Sequence, residues 1–187
     1  MSKVVKLLGL LRHAKSDWSE SEMRGGAQRD FDRGLNGRGR RGAALMGRHI
    51  ADHGVRWDHL LASPAERVRQ TFAATGLPFQ PDWRERAYLA DADTLLELVQ
   101  ALPAAATSAL VMAHNPGLQD LVMLLAHHGE PGLCAAAAEK FPTAAFAVLE
   151  LDVATWRDAE PGCARLVHFA RPRDLDPALG PEPHPAG

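Results

Sequence analysis

The sequence has few of the residues that mark disulfide-stabilised, membrane-spanning or strongly charged proteins. Its two cysteines, Cys134 and Cys163, lack Cys-x-x-Cys spacing, so neither a disulfide framework nor a thiolate metal site is indicated. The formal net charge is −2 and the sequence pI is about 6.5. This balance does not indicate binding to nucleic acid or to acidic membranes. Because no apolar run is long enough to span a bilayer, we expect a soluble, cytoplasmic protein.

The pattern along the chain indicates one layered α/β domain. Hydrophobic residues make up 46% of 187 residues, which is enough for a substantial core. Strand-like and helical segments alternate, as expected for strands joined by helices. Strands are predicted at 4–11, 58–62, 108–113, 145–152 and 164–169, and helices at 38–53, 64–75, 93–102 and 117–128. Residues 1–171 are predicted to form a single domain, and the proline-rich segment 172–187 is predicted to be a poorly ordered tail.

Histidines follow two of the apolar runs at the point where each predicted strand ends. Arg12 and His13 come directly after the first run, and His114 follows the apolar residues 110–113. Open α/β sheets bind ligands beyond the carboxyl ends of their strands, so these side chains can face a ligand. Neutral imidazole can attack phosphorus, and the arginine fork fits phosphate oxygens. An Arg-His pair that only caps a strand is the alternative, but two strand-end histidines favour a functional site.

A third motif is predicted to lie at the same edge of the sheet. Ser63 and Pro64 indicate a helix start, and Arg67 lies in the first helical turn. Helix N-termini attract phosphate, and the arginine adds a full charge. The other histidines are interpreted as structural: His49, His53, His59, His127, His128, His168 and His184.

These motifs together resemble the histidine phosphatase superfamily, the phosphoglycerate-mutase-like proteins, and most of all its SixA-type phosphohistidine phosphatases. The superfamily's Arg-His-Gly signature corresponds to Arg12-His13-Ala14, and its Ser-Pro-x-x-Arg-x-x-Gln-Thr element to residues 63–71. The later Gly-His element corresponds to Ala113-His114, followed by Asn-Pro-Gly at 115–117. The resemblance implies a three-layer α/β/α sandwich with a mostly parallel central sheet.

The resemblance also implies site residues and a mechanism without a metal or other cofactor. His13 would be the nucleophile, and three further residues, Arg12, Arg67 and His114, would surround the phosphoryl group. Ser16 and Ser19 are candidate substrate-binding residues. The family's usual glutamate has no clear counterpart, so Glu85 and Asp91 are candidates for a general acid, although a solvated surface carboxylate is the favoured interpretation of each.

Several functions remain open from the sequence. The favoured one is dephosphorylation of phosphohistidine on a protein through a phosphohistidine intermediate, because that leaving group depends least on an acid. A small-molecule phosphomonoesterase is the main alternative, so the partner is a phosphorylated protein or a small phosphate ester, with no nucleic acid or membrane. Ala14 in place of the usual glycine keeps a third hypothesis open, that the chain is a catalytically idle phosphate-binding or interaction module. The polar loop 19–37 is a candidate lid.

Overall fold

The apolar run near the N-terminus forms a central strand of one sheet. The computed structural model describes residues 5–19 and 27–181. Within these ranges the strands are β1 (Lys6–Arg12), β2 (His59–Ala62), β3 (Pro81–Trp83), β4 (Ser108–Ala113), β5 (Ala126–Gly129), β6 (Phe146–Leu151) and β7 (Ala164–Ala170). Their order is β3-β2-β4-β1-β6-β7-β5. β6 is antiparallel to β1 and β7, and the other neighbouring pairs are parallel. The prediction of a mostly parallel sheet is confirmed.

Helices connect the strands and cover both faces of the sheet. They are α1 (Ala27–Asp32), α2 (Gly37–Asp52), α3 (Glu66–Thr75), α4 (Ala92–Gln100), α5 (Gly117–Leu125), α6 (Pro131–Glu139) and α7 (Pro172–Leu175). Short 3-10 turns occur at Glu85–Ala87, Trp156–Asp158 and Pro177–Leu179. The longest helix, α2, begins where the Asn36 side chain accepts a hydrogen bond from the Gly39 amide at 2.8 Å. None of the helices in the described ranges is long and apolar enough to cross a membrane.

Alternation along β1 distributes the core between two apolar clusters. Leu8 and Leu10 belong to a cluster that includes residues of α4 and α5. Leu11 points to the opposite face and joins Met46 of α2 and Val68 of α3. Successive strand residues face opposite sides of a sheet, so the apolar run on β1 contributes to both clusters. The expected three-layer α/β/α sandwich is therefore confirmed.

The predicted helix 117–128 is wrong at its C-terminal end. α5 ends at Leu125, and the next four residues form β5, which pairs with β7 in parallel. His127 and His128 are exposed on this edge strand. The pairing with β7 involves a distant part of the chain, and polar residues at an exposed edge leave no apolar periodicity to reveal it.

The predicted poorly ordered tail is also partly wrong. Residues 172–181 form α7 and a 3-10 turn, while 182–187 lie outside the described residues. Asp174 accepts a hydrogen bond from the Arg171 amide at 2.9 Å, and the Arg38 guanidinium donates to the Gly180 carbonyl. Proline fits the first turn of a helix, and Pro172 and Pro177 each lie there, so a high proline content does not by itself predict a poorly ordered segment. The candidate lid contains α1, and its residues 20–26 lie outside the described part of the chain.

Candidate active site

The three predicted motifs meet at the carboxyl ends of adjacent strands. His13 follows β1, His114 follows β4 and Ser63 follows β2. β4 lies between the other two strands and is parallel to both, which brings all three residues to one edge. The ring centroids of His13 and His114 are 5.3 Å apart. The sheet therefore sets the spacing of the two histidines.

The tautomer of His13 follows from one hydrogen bond. Its Nδ1 lies 2.8 Å from the carbonyl oxygen of Ala14, and since a carbonyl can only accept, Nδ1 carries the proton. Nε2 therefore keeps its lone pair. The pKa of His13 is lowered to about 3. Burial is the largest cause, and the charges of Arg67, Arg12 and Arg33 also lower the pKa, whereas the Ala14 hydrogen bond raises it. The imidazole is neutral at pH 7.

His114 has the opposite tautomer. Its Nδ1 accepts from Arg67 Nη2 at 3.2 Å, so its Nε2 carries the proton and donates to Ser63 Oγ at 2.7 Å. Tyr88 packs edge-on against the ring, with centroids 5.5 Å apart. Burial lowers the pKa of His114, and the Arg67 charge adds to this effect. His114 is thus a neutral side chain whose two ring nitrogens both have partners.

Two arginines adjoin the histidines, Arg67 buried and Arg12 half-buried. Arg67 is 2% exposed and donates to the backbone oxygen of Asp30 at 2.6 Å and to its Oδ2 at 3.2 Å. Arg12 donates through Nη1 to the Phe141 carbonyl at 2.9 Å. The Nε atoms of both arginines are buried without a hydrogen-bond acceptor among the described residues. Buried donors of this kind are costly unless paired, and an anion in the cavity could supply acceptors.

Asp30 on α1 is a member of the site that the sequence analysis missed. Its Oδ2 accepts from the Tyr88 hydroxyl at 2.6 Å, and its Oδ1 accepts from Arg33 Nη1 at 2.6 Å. Burial raises the pKa of Asp30, but the Tyr88 hydrogen bond and the Arg67 and Arg33 charges outweigh this, so the pKa is below its usual value. Asp30 is ionised and holds these groups together.

Ser16 lies at the cavity, whereas Ser19 does not. Ser16 is buried, and its Oγ accepts from Arg33 Nε at 3.2 Å. The Ser19 amide and hydroxyl both donate to Asp17 Oδ1, at 2.9 and 2.6 Å. This local turn leaves Ser19 exposed and outside the cavity lining.

Neither candidate acid reaches the cavity. Glu85 is exposed in the 3-10 turn before α4. Asp91 caps α4 by accepting from the Thr94 amide at 2.8 Å, and that hydrogen bond lowers the pKa of its carboxyl. Both residues are exposed, and neither lines the cavity that contains His13 and His114.

The methyl group of Ala14 packs among apolar residues directly after His13. Ala14 is fully buried and packs in a small apolar cluster with Leu35, Ala43 and Ala144. Its amide donates to Thr71 Oγ1 at 2.9 Å. The Thr71 hydroxyl in turn donates to the Arg67 carbonyl at 2.6 Å. The turn after β1 and the helix that carries Arg67 are therefore linked directly.

The histidines and arginines line one open cavity of about 560 Å³. Such a volume is typical of small-molecule sites and exceeds what one phosphoryl group needs. Its charged lining residues are Arg12, Lys15, Asp30, Arg33, Arg38, Arg67, Lys140, Arg171 and Arg173. The cavity is thus strongly cationic although the whole chain is nearly neutral.

A second histidine group lies away from the cavity, between α2 and β7. His49 Nε2 and His168 Nε2 are 2.8 Å apart, and the His53 and His168 ring centroids are 4.5 Å apart. Burial and the two neighbouring histidines lower the pKa of His168 to about 4. Over the described ranges, no group of three or more His, Cys, Asp or Glu side chains is arranged to hold a metal ion.

Comparisons with known proteins agree with this geometry. Residues 8–96 match the family described as the histidine phosphatase superfamily (branch 1). An uncharacterized protein of Mycobacterium tuberculosis is 36% identical over 165 residues, which cover 87% of this chain and all of that protein.

Solved structures show the same similarity. A candidate phosphohistidine phosphatase SixA from Nakamurella multipartitia is 31% identical, with a TM-score of 0.77 over 90% of this chain and 96% of that one. A second candidate SixA, from Agrobacterium tumefaciens, is 33% identical, with a TM-score of 0.68 over 88% and 97% of the two chains. The chain therefore belongs to the histidine phosphatase superfamily, as a phosphate-acting hydrolase similar to the SixA proteins.

Proposed function

We propose that the chain removes phosphate from phosphohistidine on a protein, through a covalent intermediate on His13. The observation that carries this proposal is the hydrogen bond from His13 Nδ1 to Ala14, which leaves Nε2 as a neutral nucleophile inside a cationic cavity. Proteins that resemble the chain along most of its length carry the SixA designation.

The reaction proceeds in two displacements at phosphorus. His13 Nε2 forms a bond to phosphorus while the bond to the substrate imidazole breaks, and the leaving imidazole takes its proton from solvent. Water then attacks phosphorus, the bond to His13 breaks, and inorganic phosphate is released. Covalent catalysis of this kind splits one difficult step into two easier ones.

Two arginines stabilise the transferring group, and His114 positions one of them. Arg12 and Arg67 supply guanidinium donors, including Nε atoms without another acceptor among the described residues. His114 lies beside His13 and holds Arg67 in place through its Nδ1. The transition state spreads negative charge over the phosphoryl oxygens, so fixed cations at this position accelerate the reaction electrostatically.

None of the described residues that line the cavity is a neutral acid, which favours a phosphoramidate over an alkyl ester. Glu85 and Asp91 lie elsewhere, and Asp30 is ionised, so no described carboxyl can protonate a leaving group at neutral pH. An alkoxide is a poor leaving group without an acid, whereas an imidazole protonated by solvent leaves readily. This supports phosphohistidine as the substrate and disfavours simple alkyl phosphates.

The test measures phosphate release from a phosphohistidine peptide, an aryl phosphate and an alkyl phosphate, all in excess chelator. Wild type is compared with His13→Ala and with the control His127→Ala, which alters an exposed edge-strand histidine. We expect the fastest phosphate release from the phosphohistidine peptide. We also expect an acid-labile phosphorylated form of the protein during turnover. His13→Ala should lose both the activity and this phosphorylated form, whereas His127→Ala should keep them.

Other outcomes would overturn parts of the proposal. Activity retained by His13→Ala would exclude the proposed nucleophile. A faster reaction with alkyl or aryl phosphates than with the peptide would make the chain a general phosphomonoesterase. No release from any substrate would support a binding module instead, and activity lost in chelator would contradict the metal-free mechanism.

A further inference from the structure

We infer that the cavity contains a second anion-binding subsite, formed by Lys15, Arg38, Lys140 and Arg173, so that the preferred substrate carries a second negative group. These four residues are called the rim cations below. The inference rests on the proposed function in one respect: the transferred phosphoryl group is taken to bind at His13.

The charges that line the cavity are strongly unbalanced. Among the residues that the structure describes, eight lysine and arginine side chains line it, together with one carboxylate, Asp30. That carboxylate is already bound by Arg67 and Arg33. Arg171 is held by Asp174, whose two oxygens lie 2.9 and 3.0 Å from its Nε and Nη2. Along the described part of the cavity wall, cations therefore outnumber carboxylates, and their field attracts negative charge.

Two rim cations share the side of the cavity beside α2. Lys15 is two residues beyond His13, and its carbonyl accepts from the Asn36 amide at 3.1 Å. A Cβ on Gly39 would lie 2.0 Å from that carbonyl oxygen, so the first turn of α2 approaches the Lys15 backbone very closely. Arg38 belongs to that turn. The backbone of Lys15 therefore lies close to the helical turn that carries Arg38.

The other two rim cations come from later parts of the chain. Lys140 precedes Phe141, whose carbonyl binds Arg12 Nη1 at 2.9 Å, so its backbone adjoins the proposed phosphoryl site. Arg173 lies on α7, and its Cβ would be 3.7 Å from a Cβ built on Gly180. Because Arg38 donates to the Gly180 carbonyl, this segment is held against α2. The four rim cations thus come from separate segments that line the same cavity.

The subsite recognises anionic charge on the part of the substrate that is not transferred. Lys15 and Lys140 are exposed, and the cavity is larger than a phosphoryl group needs. The anion can come from an acidic side chain next to the phosphohistidine of a protein, or from a second phosphate of a small molecule. Both present the same chemistry to the rim, and the experiment below separates them.

The first measurement is calorimetric binding of methylphosphonate and of propane-1,3-bisphosphonate, which adds a second phosphonate on a short spacer. The rim variant combines Lys15→Gln, Lys140→Gln and Arg173→Gln, and keeps Arg38 because it holds Gly180. The control combines Arg48→Gln, Arg56→Gln and Arg157→Gln, all exposed, outside the cavity and with the same change in net charge.

We expect wild type and the control to bind the bisphosphonate about tenfold more tightly than methylphosphonate, since exposed ion pairs each contribute a few-fold at most. The rim variant should lose most of this preference and bind methylphosphonate with less change. Equal binding of the two ligands by wild type, or an equal loss of preference in the control, would overturn the inference.

The second measurement compares kcat/KM for two phosphohistidine peptides, one with aspartates and one with asparagines beside the phosphohistidine. A preference for the aspartate peptide that disappears in the rim variant identifies a protein as the source of the anion. A bisphosphonate preference without a peptide preference identifies a small molecule. Failure of phosphate release with an intact bisphosphonate preference would refute the proposed function alone, whereas release without any preference would refute the subsite alone.

Discussion

Acidification should destabilise the folded chain through the buried His13. Its pKa in the folded protein is lowered to about 3, whereas an unfolded histidine titrates near ~6.5. Below that pH the unfolded chain binds a proton that folded His13 does not take up. The free energy of unfolding therefore falls as the pH drops through ~6.5, and it continues to fall until His13 protonates in the folded state.

The size of the effect follows from the difference between the two pKa values. Each pH unit below ~6.5 costs about 1.4 kcal/mol, so about 1.5 units of acidification remove about 2 kcal/mol. His114 and His168 also have lowered pKa values and act in the same direction. The total loss in wild type is thus larger, and a single variant is needed to isolate the contribution of His13.

The assay is urea unfolding of wild type and His13→Gln at about pH 7.5 and about pH 5. Each protein is compared with itself, so the cost of the substitution cancels. We expect wild type to lose about 2 kcal/mol more than His13→Gln on acidification. His127→Gln, at an exposed position, should behave as wild type does. The same acid loss in His13→Gln and wild type would refute the reasoning.

Two further predictions concern the neighbours of His13. Arg67→Lys replaces a guanidinium that contacts Asp30 and His114 with a single ammonium. We expect kcat/KM on an aryl phosphate to fall about 10²–10³-fold while the fold is retained. A loss under about tenfold would contradict the role of the guanidinium. Ala14→Gly removes a buried methyl group and should lower the free energy of unfolding in urea by about 1 kcal/mol, with kcat/KM within about threefold of wild type. A large gain in activity would show that the methyl group obstructs the substrate.

The central strands and main helices could be predicted from sequence because burial leaves a local pattern. The run before Arg12 and the run before His114 are apolar throughout, as strands covered on both faces must be. Their shared edge then follows from the rule that parallel strands present their carboxyl ends together. β5 could not be predicted in this way, because it is a short polar edge strand whose pairing with β7 leaves no local pattern.

The parts of the cavity that the sequence left out depend on contacts between distant residues. Asp30 meets Arg67 and Tyr88, which lie 37 and 58 residues away in the chain. Nothing near Asp30 in the sequence distinguishes it from the other charged residues of its loop. Glu85 and Asp91, the candidate acids, are both exposed, Asp91 caps α4, and neither lines the cavity.

The neighbouring positions of β1 and β4 have a consequence for how this protein can change over time. The two histidines are spaced by backbone hydrogen bonds between paired strands, which side-chain substitutions elsewhere do not alter. The rim cations instead come from the turn after β1, the first turn of α2, the C-terminal end of α6, and α7. Surface segments of this kind accept substitutions more readily than a central sheet. Substrate preference can therefore diverge between descendants of this chain while the reaction itself is inherited unchanged.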